Sequence, residues 1–194
     1  MSTRSAADRV PLALLVLRAI AAPALVVCAL VGTAGWILAA IVTFAFLSDI
    51  FDGVIARRVG VATESLRFAD SVIDLAFYLA AVAAVLVCAP NVLITLRWPI
   101  ACIAALEVAR LVIELAKFGR MAAYHMWSAK IWGITLWLGF SEVFLGRYAG
   151  PFFKLAIVMG LVADLEGLVA SLLLTTQQRD VRTLWHALAR EAGR

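Results

Sequence analysis

Charge is what this sequence lacks. Asp, Glu, Lys and Arg make up 15% of its 194 residues, whereas 64% are hydrophobic. A soluble domain holds about 25% charged and about 45–50% apolar residues, and a water-soluble fold of this length cannot hide the difference. Lipid is therefore the solvent for most of the chain. Cysteine is scarce too: Cys28, Cys88 and Cys102 lie in apolar stretches with no CxxC spacing. That excludes zinc ribbons and disulfide frameworks and leaves apolar packing. The opening MSTRSAADRV has no cleavage-type segment before the first long apolar run, so that run reads as a retained first helix. No basic, aromatic-interleaved stripe is present. The net charge of +4 suits loops against anionic lipid and not nucleic acid. There is no internal repeat, no low-complexity tract, and no alternation of polarity that would suit a β-barrel.

What is present is a series of continuous apolar runs near 10–32, 36–57, 66–88, 98–117, 131–147 and 152–175. Each approaches the roughly 20 residues that a helical span requires. They predict an all-α integral membrane protein, a six-transmembrane-helix bundle forming one catalytic domain over residues 1–176. Gly32 to Gly35, Ala89-Pro90-Asn91 and Gly146 to Pro151 punctuate the spans. With the N-terminus placed in the cytosol, twelve of the 17 Lys and Arg residues fall in cytosolic segments. Only Arg97, Arg147 and Lys154 fall on the opposite side, while Arg18 and Arg110 lie inside spans. The bias puts both termini in the cytosol of a cell whose cytoplasmic membrane holds the protein. The remaining residues, 177–194, place Val181, Leu184, Trp185 and Leu188 at helical spacing among arginines, an amphipathic cytosolic tail lying on the membrane surface. Trp98, Trp127, Trp132, Trp137 and Trp185 read as interfacial belt residues.

The chemistry lies between Ser48 and Asp74, SDIFDGVIARRVGVATESLRFADSVID. Asp49 and Asp52 are three apart and share one face of the second helix. Asp70 and Asp74 are four apart and share one face of the third. The short connection makes these helix ends neighbours in an antiparallel hairpin, so four carboxylates converge at one membrane face. Such like charges repel and resist desolvation. A hard divalent cation, magnesium or manganese, offsets them while keeping positions open for phosphate oxygens, and two ions do so better than one. The competing reading pairs these acids with Arg57, Arg58 and Arg67 at solvated helix ends, which suits one aspartate better than four. Gly53 allows close approach beside Asp52, and Ala56 adds little bulk. Arg57 offers a fork of donors for phosphate, although it also suits a cytosolic anchor. Together they describe a diphosphate site.

The pattern Asp49-x2-Asp52-Gly53-x2-Ala56-Arg57, then Asp70-x3-Asp74, resembles the signature of the CDP-alcohol phosphotransferases (CDP-alcohol phosphatidyltransferases). Seven of its eight fixed positions match with the spacing intact; the family's second glycine falls at Leu66. The segment around Arg18 is similar to the family's first helix. The resemblance implies transfer of a phosphatidyl-type group from a CDP-alcohol, CDP-diacylglycerol above all, to an alcohol acceptor with release of CMP, in phospholipid biosynthesis. It further implies that Asp49, Asp52, Asp70 and Asp74 hold two metal ions on the diphosphate, and that Asp74 serves as general base on the acceptor hydroxyl. Gly53, Ala56 and Arg57 then contact the CDP-alcohol. The partners so implied are a membrane lipid substrate and a small alcohol or phospholipid acceptor. Homodimers are common in the family.

Weaker signals concern the acceptor. Glu107, Arg110 and Glu114 share a face of the fourth span, as an ion-paired unit or as part of the cavity. Arg110 resembles an arginine of family members, and Lys130 and His125 lie on the side of the aspartates; Arg110 and Lys130 are the acceptor-binding candidates. Asp164 and Glu166 lie in the sixth run, where they line the bundle or meet Arg18 or Arg110. Two other readings stand beside the enzyme: a divalent-cation transporter using the same aspartates, and a catalytically inactive, scaffold-like relative, which Leu66 motivates. Transport sites lie near the bilayer midplane, away from a helix-end hairpin.

Overall fold

A computed structural model describes residues 6–59, 64–119, 126–176 and 183–192, with side chains over 10–55, 68–119, 126–176 and 183–191. Every regular element among them is helical. The order is α1 (Ala6–Leu30), α2 (Gly35–Val59), α3 (Glu64–Cys88), α4 (Pro90–Thr95), α5 (Arg97–Phe118), α6 (Trp127–Gly146), α7 (Pro151–Leu173) and α8 (Leu184–Ala192). Four helices are long and apolar enough to cross a membrane among the described residues: Val10–Leu30, Gly35–Ile55, Phe68–Cys88 and Pro151–Leu173. The expected fourth and fifth runs also fold as helices, α5 and α6. The α5 helix carries Arg97, Glu107, Arg110, Glu114 and Lys117, which keep it below that standard. The chain divides into two compact units: residues 1–92 with 140–148, and residues 93–139 with 149–194.

In the first unit, α1 packs against both α2 and α3. Its buried positions include Leu15, Arg18, Ala22, Leu25 and Ala29, a seam stepping by three and four along one helix face. The facing seam of α2 is Leu38, Val42, Ala45, Ser48 and Asp52, and that of α3 includes Phe77, Ala81, Ala84 and Val85. The same steps carry the α2 and α3 seams into Asp52 and Asp74, so one end of each of these two faces is polar, while on α1 the polar position, Arg18, lies between Leu15 and Ala22. The outer faces expose Leu12, Val16, Ile20, Phe44, Leu47, Leu75, Leu79 and Leu86, an apolar surface suited to lipid.

The turn from α1 to α2 is tight because Gly32 takes a left-handed conformation, φ +71°. The Thr33 N–H and hydroxyl both donate to the Cys28 carbonyl at 3.0 Å, satisfying the end of α1. A β-carbon at Gly35 would run into the backbone carbonyl of Phe144, so only glycine lets α2 start there. Between α3 and α4 the break narrows to Ala89, and Pro90 opens α4, where its missing N–H costs nothing.

In the second unit, α5 packs on α7, and α8 folds back onto α7. The buried face of α7 is built from small residues, Ala156, Gly160, Ala163, Gly167, Ala170 and Ser171, with Phe153 and Asp164 among them. Small residues allow close helix approach where no hydrophobic force drives association. The indole Nε1 of Trp132 lies over Gly160, 2.9 Å from where a β-carbon would stand; Trp132 thus packs inside the bundle and not in an interfacial belt. Lys117 donates to the Ser171 and Leu172 carbonyls at 3.1 and 2.7 Å, closing the end of α7. The α8 helix seats Ala187 and Leu184 against Met126, Ala170 and Leu174. Glu166 accepts the Leu184 N–H at 3.0 Å at the start of α8. Trp185 points away, 82% exposed.

Candidate metal centre

The four aspartates of the sequence pattern meet in the first unit, and they meet around an arginine. Arg18 projects from α1 and is 1% exposed. Its Nε donates to the Ser48 hydroxyl at 3.3 Å. Its Nη1 donates to Asp49 and Asp70, each at 3.1 Å, and contacts Asp74. Its Nη2 contacts Asp52. Three helices thus supply the site: the cation from α1, and carboxylate pairs from α2 and α3.

The cluster has a floor and a rim. Arg18, Ser48 and Asp52 are buried, while the side chains of Asp49, Asp70 and Asp74 are 45%, 35% and 30% exposed. Oxygens from Asp49, Asp70 and Asp74 lie within 4.8 Å of one another. Asp52 stands outside that trio, held to the other guanidinium nitrogen. The expected set of four is therefore three rim acids and one floor acid.

These residues fit a divalent cation. The donors are hard carboxylate oxygens, the type that magnesium, manganese and calcium take. One guanidinium faces four carboxylates, so negative charge remains in excess. Hydrogen-bond capacity is exceeded as well. Nη1 carries two hydrogens, and three carboxylates lie against it.

The acids therefore pair with Arg18, and sequence reasoning had left it out of the site. Two signals pointed to it: an arginine inside an apolar run is costly unless paired, and it falls on the seam of Leu15, Ala22 and Leu25. Gly53 follows Asp52 on α2, half-buried. The side chains of Ala56, Arg57, Arg58, Leu66 and Arg67, and His125 as a whole, lie outside the described residues.

The acceptor candidates belong to the second unit. Arg110 donates to Glu107 at 2.6 Å and stands 3.7 Å from Glu114, which accepts the Ser171 hydroxyl at 2.9 Å. Lys130 is exposed and lies over the Trp127 ring, 4.8 Å from its centre. Asp164, 1% exposed, lies beside Glu107 and within the electrostatic reach of Arg110, and neither of its oxygens finds a donor among the described residues. Glu166 turns elsewhere and accepts the Ser128 hydroxyl.

The family model for CDP-alcohol phosphatidyltransferase matches residues 9–188, nearly the whole chain. The chain belongs to this family. No curated protein and no solved structure matches it. Membership makes it a membrane-embedded transferase at the level of the CDP-alcohol phosphatidyltransferases, and it places the aspartate cluster inside the matched span. The helical, apolar architecture agrees with that assignment.

Proposed function

We propose that the protein transfers a phosphatidyl-type group from a CDP-alcohol, CDP-diacylglycerol foremost, to an alcohol acceptor and releases CMP. The convergence of four carboxylates from α2 and α3 on one small volume with an open rim carries this reading. Asp49, Asp70 and Asp74 hold the cation at the rim, with Asp52 beneath them. Magnesium or manganese bound there supplies Lewis-acid polarisation of diphosphate oxygens and neutralises their charge.

The chain's own groups then have distinct tasks. Asp74 touches Arg18 through Oδ1, which leaves its second oxygen to accept the acceptor's hydroxyl proton. A base placed this way contributes through position, and its effect depends on the rigidity of α3. Gly53 admits the diphosphate near the α2 backbone, while Ala56 and Arg57 continue the same helix toward the nucleotide. Arg57 offers bidentate donors to the leaving phosphate. Arg110 and Lys130 are the candidates for contact with the acceptor.

In the membrane, α5 and α6 join the four apolar helices to make six spans, both termini are cytosolic, and the aspartates open to the cytosol. Basic residues on the connecting segments support that orientation. Residues 177–194 form the surface tail, which contains α8.

The test is CMP release by protein purified in detergent, supplied with CDP-diacylglycerol and a panel of alcohols. Release is expected with Mg2+ or Mn2+ and none after chelation. Metal flux into vesicles without CMP release would turn the assignment to transport. A folded protein lacking both activities would turn it to an inactive relative.

A further inference from the structure

We infer that Arg18 competes with the divalent cation for the rim carboxylates, so that the cation binds only by displacing the Nη1 end of the guanidinium. The inference rests on reading Asp49, Asp70 and Asp74 as the cation site, and it assigns to α1 a part in regulating that site.

The geometry carries it. All three rim acids reach the same nitrogen, Nη1 of Arg18, and their oxygens lie within 4.8 Å of one another. The point that Nη1 takes is therefore the point where a shared cation has to sit. Nη1 stands 3.1 Å from the oxygens of Asp49 and Asp70, whereas magnesium draws its oxygen ligands in to about 2.0–2.1 Å. Loading thus draws the Asp49 and Asp70 oxygens in by about 1 Å, and a positive nitrogen left among the rim oxygens would face the ion at close range.

The guanidinium has a second set of partners. Its Nε is held by Ser48 at 3.3 Å and its Nη2 by Asp52, both on the buried floor. The guanidinium is a rigid plane, so Nη1 leaves the rim only as the whole head tilts about these floor contacts. Nη1 also satisfies the rim poorly, with two hydrogens for three acceptors, whereas a metal ion has no such limit. The rim is thus kept from bare repulsion by a cation weaker than the one it prefers. The cost of moving Arg18 lowers the apparent affinity for the ion and sets a concentration threshold for loading.

Mn2+ binding, read from the EPR signal of free Mn2+ over the full-length protein in detergent, tests this without reference to turnover. Arg18→Gln is expected to bind Mn2+ about tenfold more tightly than wild type, about 1.4 kcal/mol. Millimolar guanidinium should weaken binding in the variant and leave wild type unchanged. Equal or weaker binding by Arg18→Gln overturns the inference. Should that variant not be recovered folded, Arg18→Lys decides: its single nitrogen reaches fewer carboxylates, and binding a few-fold tighter than wild type is expected, whereas equal or weaker binding overturns the proposal. Asp49→Asn separates the two levels of the argument. Loss of Mn2+ binding there without tightening in the Arg18 variants removes the competition and keeps the cation site. Binding that is alike in wild type, Asp49→Asn and the Arg18 variants, or absent from all of them, removes both.

Discussion

Both units of this molecule set an arginine among acids inside an apolar bundle, by opposite means. Arg18 draws its partners from other helices, 31 residues away at Asp49, 52 at Asp70 and 56 at Asp74. Arg110 is served mainly by its own helix, from Glu107 three residues before it and Glu114 four after. Its side chain is 28% exposed against 2% for Arg18. The local arrangement neutralises a charge wherever α5 forms. The long-range arrangement exists only when three helices have packed, and it leaves an excess of carboxylate with an open rim. The first compensates a charge within one helix; the second leaves carboxylates that could hold a cation.

Activity should break the symmetry most sharply. Asp74→Asn is expected to cut CMP release by about 10²–10⁴-fold, the usual contribution of a positioned base. Glu107→Gln is expected to stay within about tenfold of wild type. Comparable losses in the two variants would erase the distinction between site and support.

Stability should divide the arginines next. Arg18→Ala strands four carboxylates beside a buried floor, and breaking a buried pair costs about 3–5 kcal/mol. For Arg110→Ala, whose head is partly exposed but whose partner Glu114 is buried, a smaller loss of about 1–3 kcal/mol is expected. Thermal unfolding in detergent, with and without Mn2+, reads both.

Glycine replacements sharpen the contrast between rigid and yielding neighbours. A β-carbon at Gly139 would stand 2.9 Å from the Phe153 Cα, which is backbone, whereas one at Gly167 would stand 2.9 Å from Nη1 of Arg110, the tip of a flexible side chain. Gly139→Ala is expected to cost about 1–3 kcal/mol, as overpacking does. Gly167→Ala should cost less, and Gly133→Ala, with nothing within 4 Å, should be neutral or slightly stabilising. A reversed order in melting temperatures would contradict this packing.

Among the acids, the smallest effect is expected at Asp164. It is buried and finds no donor among the described residues, so stability of Asp164→Asn should stay within about 1 kcal/mol of wild type. Asp52→Asn, also buried but in contact with Arg18, should cost distinctly more. Equal melting temperatures for the two variants would deny Arg18 its structural role.

Much of the fold was legible because lipid imposes it. Apolar runs near 10–32, 36–57, 66–88 and 152–175 became α1, α2, α3 and α7, with breaks at Gly32, Ala89 and Gly146. The α4 turn was not foreseen, since six residues after a proline carry no periodicity to read. The site was legible in its acids, because spacings of three and four put each pair on one helix face whatever the tertiary arrangement. Its cation was not. A lone arginine in an apolar run announces that it needs a partner, but not which partner. Asp164 and Glu166 were equally open between Arg18 and Arg110, and packing sent Asp164 toward Arg110 and Glu166 to Ser128 and Leu184.

Composition alone determined the solvent, and one-dimensional spacing determined which side chains share a helix face, because both follow from backbone geometry that no neighbour can change. Only the packing of α1 against α2 and α3 decided that Arg18 meets all four aspartates, and that three of them form a rim while one forms a floor. Coulomb attraction and burial act through space, and the distances they depend on come into being only when separate helices are brought side by side.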